Sequence, residues 1–252
     1  MVIKAIKTRK FYPPKDNLQS LLKGSIKTIK ENSIVVIASK VVSIGEGRCF
    51  ESDKVKDKDE LIIKESDMYL PRKYVPEQRI IHTLSKGIFV PTAGIDESNG
   101  NDYLILWPKD PEKSAQNIWK FLRAEFKIKN LGIIISDSHS SPLRRGLTGF
   151  ALSFFGFNPL KDYRGNPDIF GREMKVSMTN LPDSLAAAAV AVMGEGDECT
   201  PIAIIEDIPQ IEFMEKKYQP KKPYSSFIVP LEEDLFKPFL SSVPWKKVDK
   251  ET

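Results

Sequence analysis

Ile133-Ile134-Ile135-Ser136-Asp137-Ser138-His139-Ser140-Ser141-Pro142-Leu143-Arg144-Arg145-Gly146 is the stretch that most restricts the fold. Its isoleucines branch at Cβ and form a continuous apolar run of the length expected for a buried strand. The run stops at an Asp flanked by hydroxyls. This predicts a loop that presents Asp137, Ser138, His139, Arg144 and Arg145 at the carboxyl end of the strand. Read alone, the same residues equally describe an ordinary strand end whose Asp and Ser bond local backbone.

Two further runs, Ile34-Val35-Val36-Ile37-Ala38 and Ile202-Ala203-Ile204-Ile205, read as strands of the same kind. Val2, Ile3, Ala5 and Ile6 alternate among lysines as in a short edge strand, which Tyr12-Pro13-Pro14 breaks. Leu18, Leu21, Leu22, Ile26 and Ile29 predict an amphipathic helix from Asn17 to about Glu31. The strand at 34–38 ends at Ser39-Lys40, with a turn at Gly45-Glu46-Gly47-Arg48. The charged stretch 54–67 reads as a surface helix, and 72–79 carries no clear pattern. Gly87 to Val90 and Tyr103 to Trp107 read as strands on either side of an Asx-rich turn at 94–101. Asp110 is an N-cap with Pro111 at the first helical position, opening a helix to about Phe126.

Gly149 to Gly156 is a small apolar run, 162–172 is loop-like, and Met174 to Met178 reads as a strand. A helix opens at Pro182-Asp183-Ser184 and runs to Met193, built almost wholly of small residues that let neighbours approach closely. From about Glu215 the tail is rich in Lys and Pro, with Phe227-Ile228-Val229, Leu235-Phe236 and Phe239-Leu240 expected to pack.

With 252 residues, 41% of them hydrophobic, the chain is globular. Its 38 basic residues face 34 acidic ones and are scattered, which argues against a nucleic-acid binder. Cys49 and Cys199 match no metal or redox spacing, so both are expected to be buried and inert. There is no apolar run long enough for a bilayer and no signal peptide, which places the expected location in the cytoplasm.

Three acidic loops, around Asp96, Asp137 and Glu195, adjoin strongly apolar elements. If they converge, their oxygens suit Mg²⁺ or Mn²⁺ held against nucleotide phosphates, with Lys40, Arg144 or Arg145 adding positive charge. Each is otherwise a separate solvated turn.

Several ordered motifs together carry a resemblance. Gly94-Ile95-Asp96-Glu97-Ser98-Asn99, Ile134-Ile135-Ser136-Asp137-Ser138, Asp162-Tyr163-Arg164-Gly165, Gly171-Arg172 and the alanine helix leading to Met193-Gly194-Glu195 follow one another as in the γ-glutamyl ligases of the deazaflavin coenzyme F(420). Residues 34–48 are similar to that family's first strand and turn, and the likeness spans roughly residues 10–206.

The resemblance implies an α+β fold of mixed sheets with packed helices, with a ligase-like region at 1–210 and a C-terminal extension at 211–252 packing on it. It implies a homodimeric, GTP-dependent, metal-dependent ligase that joins an amino acid, glutamate in the family, to a carboxylate- or phosphate-bearing acceptor. By position, Asp96 and Asp137 would bind one metal, Ser138 and Glu195 a second. Ser39, Lys40, Asn99, Met193, Gly194 and Gly196 would bind the nucleotide, and Arg144 and Arg145 are the candidate catalytic cations.

The chain also departs from the family pattern. Ser140-Ser141-Pro142-Leu143-Arg144 stands for Gly-Arg-Pro-Trp-Arg, and Ile44 for a Lys. Ala151-Leu152-Ser153 stands for Ala-Ile-Gly, Glu206-Asp207 for Arg-Gly, and His139 for an aromatic, where it is read as a packed ring. The metal-holding set is kept while positions expected to face the acceptor change, which implies an altered acceptor. A catalytically silent nucleotide-binding paralogue and a metal-dependent phosphohydrolase are the competing readings.

Overall fold

The computed structural model describes residues 1–209, 211–214 and 227–248. The chain runs β1 (Val2–Ile6), α1 (Leu18–Ser25), β2 (Ser33–Ala38), α2 (Ser39–Glu46), β3 (Cys49–Glu51), α3 (Lys58–Glu65) and β4 (Met68–Leu70). Next come β5 (His82–Ser85), β6 (Ile88–Pro91), β7 (Tyr103–Ile105), α4 (Pro111–Phe126), β8 (Leu131–Ser140) and β9 (Leu147–Phe155). It closes with β10 (Leu160–Asp162), β11 (Met178–Asn180), α5 (Leu181–Met193), β12 (Ile202–Glu206), α6 (Lys237–Leu240) and β13 (Lys246–Lys247). The fold is α+β with mixed sheets. Two compact units divide it, one of residues 1–10, 17–42 and 110–227, the other of 11–16, 43–109 and 228–252.

The first unit holds a five-stranded sheet in the order β1-β12-β2-β8-β9, in which only β2 and β8 pair in parallel. The apolar runs explain the order. Ile34, Val35, Val36, Ile37, Ile133, Ile134 and Ile135 are wholly buried, as strands covered on both faces must be. Leu185, Ala186, Ala189 and Met193 of α5 pack with Ile34, Val36, Ile134 and Phe154. The small residues of α5 do bring it close. A Cβ on Gly149 of β9 would lie 2.6 Å from Val190 Cγ2 and 2.8 Å from the Ala186 carbonyl.

The capped helices start where the sequence places them. Asp110 accepts the Lys113 N–H at 3.0 Å, and Asn180 accepts the Asp183 N–H at 3.0 Å. Asp183 in turn accepts the Ala151 N–H at 2.9 Å, tying the first turn of α5 to β9.

Several expectations are corrected. The helix from Asn17 stops at Ser25, because Gly24 and the Cβ-branched Ile26, Thr28 and Ile29 favour extended chain; Ile26 and Ile29 are nonetheless buried. Ser39 to Glu46 is helix rather than a strand end and turn, and Gly47 at φ 71° follows its end. The strand of the three isoleucines does not end at Asp137. β9 pairs with it as far as Ser140, after a register shift at Ile135/Ser136, because ladder bonds use backbone whatever the side chains. The strand expected at 174–178 is instead Met178–Asn180, the length its partner β10 can pair. Val229, Leu235, Phe236 and Phe239 are exposed, at 51%, 87%, 62% and 74%, because the four-residue α6, which carries Phe239, offers too little surface to cover them. Phe227 does pack, 5.3 Å from Phe154, while the Lys- and Pro-rich stretch 215–226 lies outside the described residues.

The second unit has a four-stranded antiparallel sheet, β13-β4-β5-β6, and the pair β3-β7. Ile62, Ile81, Ala93, Ile95, Leu104 and Leu106 form its core. Arg72 orders the segment that carried no pattern. It grips both oxygens of Asp59 at 2.6 and 2.7 Å and donates to the carbonyls of Gln78 and Arg79. That guanidinium holds the Asp59 carboxyl below its usual range. Both cysteines are half-buried rather than buried, and burial pushes the Cys49 thiol up to about 11, so it stays protonated.

Candidate active site

Because β2 and β8 are parallel neighbours, their carboxyl-end residues lie side by side: Ala38 pairs with Ser136. Ser39 and Lys40 open α2 directly beyond β2, and the first-turn N–H groups of a helix favour an anion. Asp137 and Ser138 follow Ser136 along β8. The Ala38 N–H donates to the Pro201 carbonyl at 2.9 Å, bringing the chain that leaves the loop after α5 to the same edge.

Across this end Ser138 Oγ donates to Glu195 Oε2 at 3.2 Å. Glu195 stands just past α5, whose last turn is closed by the Gly194 N–H on the Val190 carbonyl at 3.0 Å and by the Thr200 hydroxyl on the Met193 carbonyl. Gly194, at φ 80°, leaves no room for a Cβ beside the Glu198 carboxylate, which also accepts the Gly196 N–H at 2.8 Å. Asp137 Oδ1 accepts the Ser138 N–H at 2.8 Å. The first unit therefore gathers Ser39, Lys40, Asp137, Ser138, Met193, Gly194, Glu195 and Gly196 at one end of its sheet. Ser136, next to this group, keeps a buried hydroxyl with no partner among the described residues.

His139 packs on Phe150 with ring centroids 4.7 Å apart. Arg144 and Arg145 are exposed in the loop between β8 and β9, where the Arg144 guanidinium donates to the Leu143 carbonyl at 3.1 Å.

Asp96 and Asn99 belong to the second unit. Asp96 exchanges backbone bonds with Ile105, at 3.0 and 2.8 Å, and its carboxylate accepts both the N–H and the hydroxyl of Ser98, at 2.7 and 3.0 Å. Asn99 sits at φ 53° in the turn that follows. Among the described residues no three His, Cys, Asp or Glu side chains gather closely enough to hold a metal by themselves. The donors that do meet, a hydroxyl and a carboxylate, are all oxygen, the element that Mg²⁺ and Mn²⁺ prefer.

Residues 6–207 match the family model described as F(420)-0:gamma-glutamyl ligase. The chain belongs to that family of ligases. It is similar to the coenzyme F(420):L-glutamate ligase of Methanopyrus kandleri, 34% identical over 220 residues that cover 80% of this chain and 85% of that one. Its likeness to the enzyme of the same name from Methanocaldococcus jannaschii is 33% over 222 residues, 83% and 86% of the two chains. The corresponding protein of Methanococcus maripaludis is 34% identical over 200 residues, 72% and 78%.

Within the F(420)-0:gamma-glutamyl ligases, the departures of this member now have surroundings. Ile44 is buried, 2% exposed, and Ser153 is fully buried with its hydroxyl donating to the Pro111 carbonyl at 2.7 Å. Glu206 receives Lys30 at 2.9 Å and Lys4 at 3.1 Å, and the two ammonium groups hold its carboxyl below the usual range. Those three changes serve packing and pairing in this chain. The 140–145 loop, like Asp207, faces solvent, with Leu143 97% exposed. No helix among the described residues is long and apolar enough to cross a membrane.

Proposed function

We propose that this chain is a GTP-dependent ligase that forms an amide between the amino group of an amino acid, glutamate by analogy with its relatives, and an acceptor bearing a carboxylate or phosphate. The observation that carries the reading is the 3.2 Å contact between Ser138 and Glu195, motif positions far apart in sequence, beside the start of α2. The chemistry runs in two steps. The acceptor carboxylate attacks the terminal phosphorus of GTP, releasing GDP and leaving an acyl phosphate. The amine then attacks the acyl carbon, losing a proton and expelling phosphate.

Such a transfer is catalysed mainly by positioning and charge neutralisation. In this reading Ser39, Lys40, Met193, Gly194, Gly196 and Asn99 bind the nucleotide. Asp96, Asp137, Ser138 and Glu195 supply oxygen ligands to Mg²⁺ or Mn²⁺, which neutralises phosphate charge. A cation of this type takes few protein carboxylates and completes its shell with water and phosphate oxygens, so a sparse protein donor set fits it. Arg144 and Arg145 add charge from the exposed loop, and the changed 140–145 loop supports an acceptor different from that of the relatives. The active form is a homodimer.

Thermal melting tests the nucleotide site directly. GDP or GTP with Mn²⁺ is expected to raise the melting temperature, by about 2.7 kcal/mol of stabilisation at a ligand concentration one hundred times its dissociation constant. Asp137→Asn is expected to abolish the shift. If no nucleotide moves the melting temperature, the reading fails. Phosphate release that requires both glutamate and an acceptor separates a ligase from a phosphohydrolase.

A further inference from the structure

Just ahead of Asp96 the chain makes a left-handed turn. Thr92, Ala93 and Gly94 take φ of 54°, 52° and 72° in succession. A Cβ disfavours that region, and a β-branched Thr disfavours it most, so the first two residues stay there only because their surroundings dictate it. Beside the 2.8 Å bond from the Thr92 N–H to the Ile81 carbonyl, Thr83 on β5 supplies one of those constraints. Its side chain is fully buried, its hydroxyl donates to the Val90 carbonyl at 2.7 Å, and the same oxygen accepts the Ala93 N–H at 3.0 Å.

The remaining bonds carry that constraint forward. The Ile95 N–H donates to the Thr92 carbonyl at 2.9 Å, the Thr92 hydroxyl to the Ile95 carbonyl at 3.2 Å, and Gly94 lies flush against the Trp107 indole with no room for a Cβ. One residue further on, Asp96 is fixed to Ile105 by its pair of backbone bonds. A buried hydroxyl on a strand thus sets the turn that delivers the carboxylate.

We propose that Thr83 is a positioning residue for Asp96: its hydroxyl holds the 92–94 turn left-handed and so sets the affinity of the Asp96 carboxylate for a divalent cation. The inference rests on the reading of Asp96 as a cation ligand. Val at position 83 keeps the shape and loses the hydroxyl; Ser keeps the hydroxyl and loses a methyl group.

The test is calorimetric titration of Mn²⁺ into the full-length protein with GDP present, for the unaltered chain, Asp96→Ala, Thr83→Val and Thr83→Ser. Asp96→Ala is expected to lose the binding. Thr83→Val is expected to weaken it about 10- to 100-fold, the usual effect of removing a group that orients a metal ligand. Thr83→Ser is expected to restore it. Thr83→Val binding Mn²⁺ as tightly as the unaltered chain, while Asp96→Ala does not, overturns the role of Thr83 and leaves the cation reading standing. Undiminished binding by Asp96→Ala overturns both. Hydrogen exchange on the unaltered protein needs no variant to fold. The Ala93 amide is expected to exchange slowly, and Mn²⁺ with GDP to slow the 92–98 amides further; rapid exchange at Ala93 overturns the proposal.

Discussion

At the residue scale, His82 carries a testable consequence. It lies on β5, 5.3 Å from the Phe89 ring, and its Nδ1 is buried with no partner among the described residues. Burial pushes its pKa below the ordinary 6.5, because the imidazolium would lose its hydration there. Once unfolded, the ring returns to the ordinary value and binds protons more readily than the folded protein does. Stability is therefore full above about pH 6.5 and declines as pH falls from there toward the lower folded value. His82→Phe is expected to flatten the decline in melting temperature between about pH 7 and pH 5. An unchanged slope would assign that decline to other groups.

The same residue shows why part of the second unit was not legible. In His82-Thr83-Leu84-Ser85 the fully buried positions are Thr83 and Ser85, so the inward face of β5 is polar and the apolar alternation that marks a strand is inverted. The signal that was present is the Lys86-Gly87 pair between β5 and β6. Both residues have φ near 50–76°, the left-handed values a two-residue hairpin turn requires. Ser138 and Glu195 were legible as a pair only through their resemblance to a family, since nothing in their spacing brings them together.

At the element scale, the buried strands β2 and β12 are legible from their apolar runs, and the helix starts are legible from local punctuation. Asp110-Pro111 and Pro182 mark the starts of α4 and α5 because caps and fixed proline φ act within a few residues, while the Asn180 cap of α5 is seen only in the structure. The continuation of β8 past Asp137 was hidden because its cause lies on β9. Contact between that strand and α5 leads to a second prediction. Gly149→Val places atoms where Val190 and the Ala186 carbonyl already sit, and overpacking of this kind costs about 1–3 kcal/mol. Denaturant unfolding of the variant is expected to show that loss. Its Mn²⁺ and nucleotide response should weaken with it, because α5 carries Glu195 at its end. Full stability would show that the helix can move aside freely.

On the scale of the whole molecule, neither unit is a continuous segment. The chain passes between them after residues 10, 16, 42, 109 and 227. Residues 228–248 complete the second unit, where β13 borders β4 and Ile228 packs over Gly87, while Phe227 belongs to the core of the first. A chain ending at residue 226 loses all three. For a protein of this size each kcal/mol lost lowers the melting temperature by about 2–4 °C, so a fall of roughly 5 °C or more is expected on scanning calorimetry. An unchanged melting temperature would mean that these last residues carry no stability.

The pairing of β1 with β12, Val2 against Glu206 at one end and Ile6 against Ile202 at the other, also matters while the protein is being made. The first strand leaves the ribosome about 200 residues before its partner, roughly 10–40 s at ordinary elongation rates. For that interval Val2, Ile3 and Ile6 have no strand partner, and Lys4 between them and Lys7 after them are the charges that discourage a neighbouring nascent chain from pairing there first.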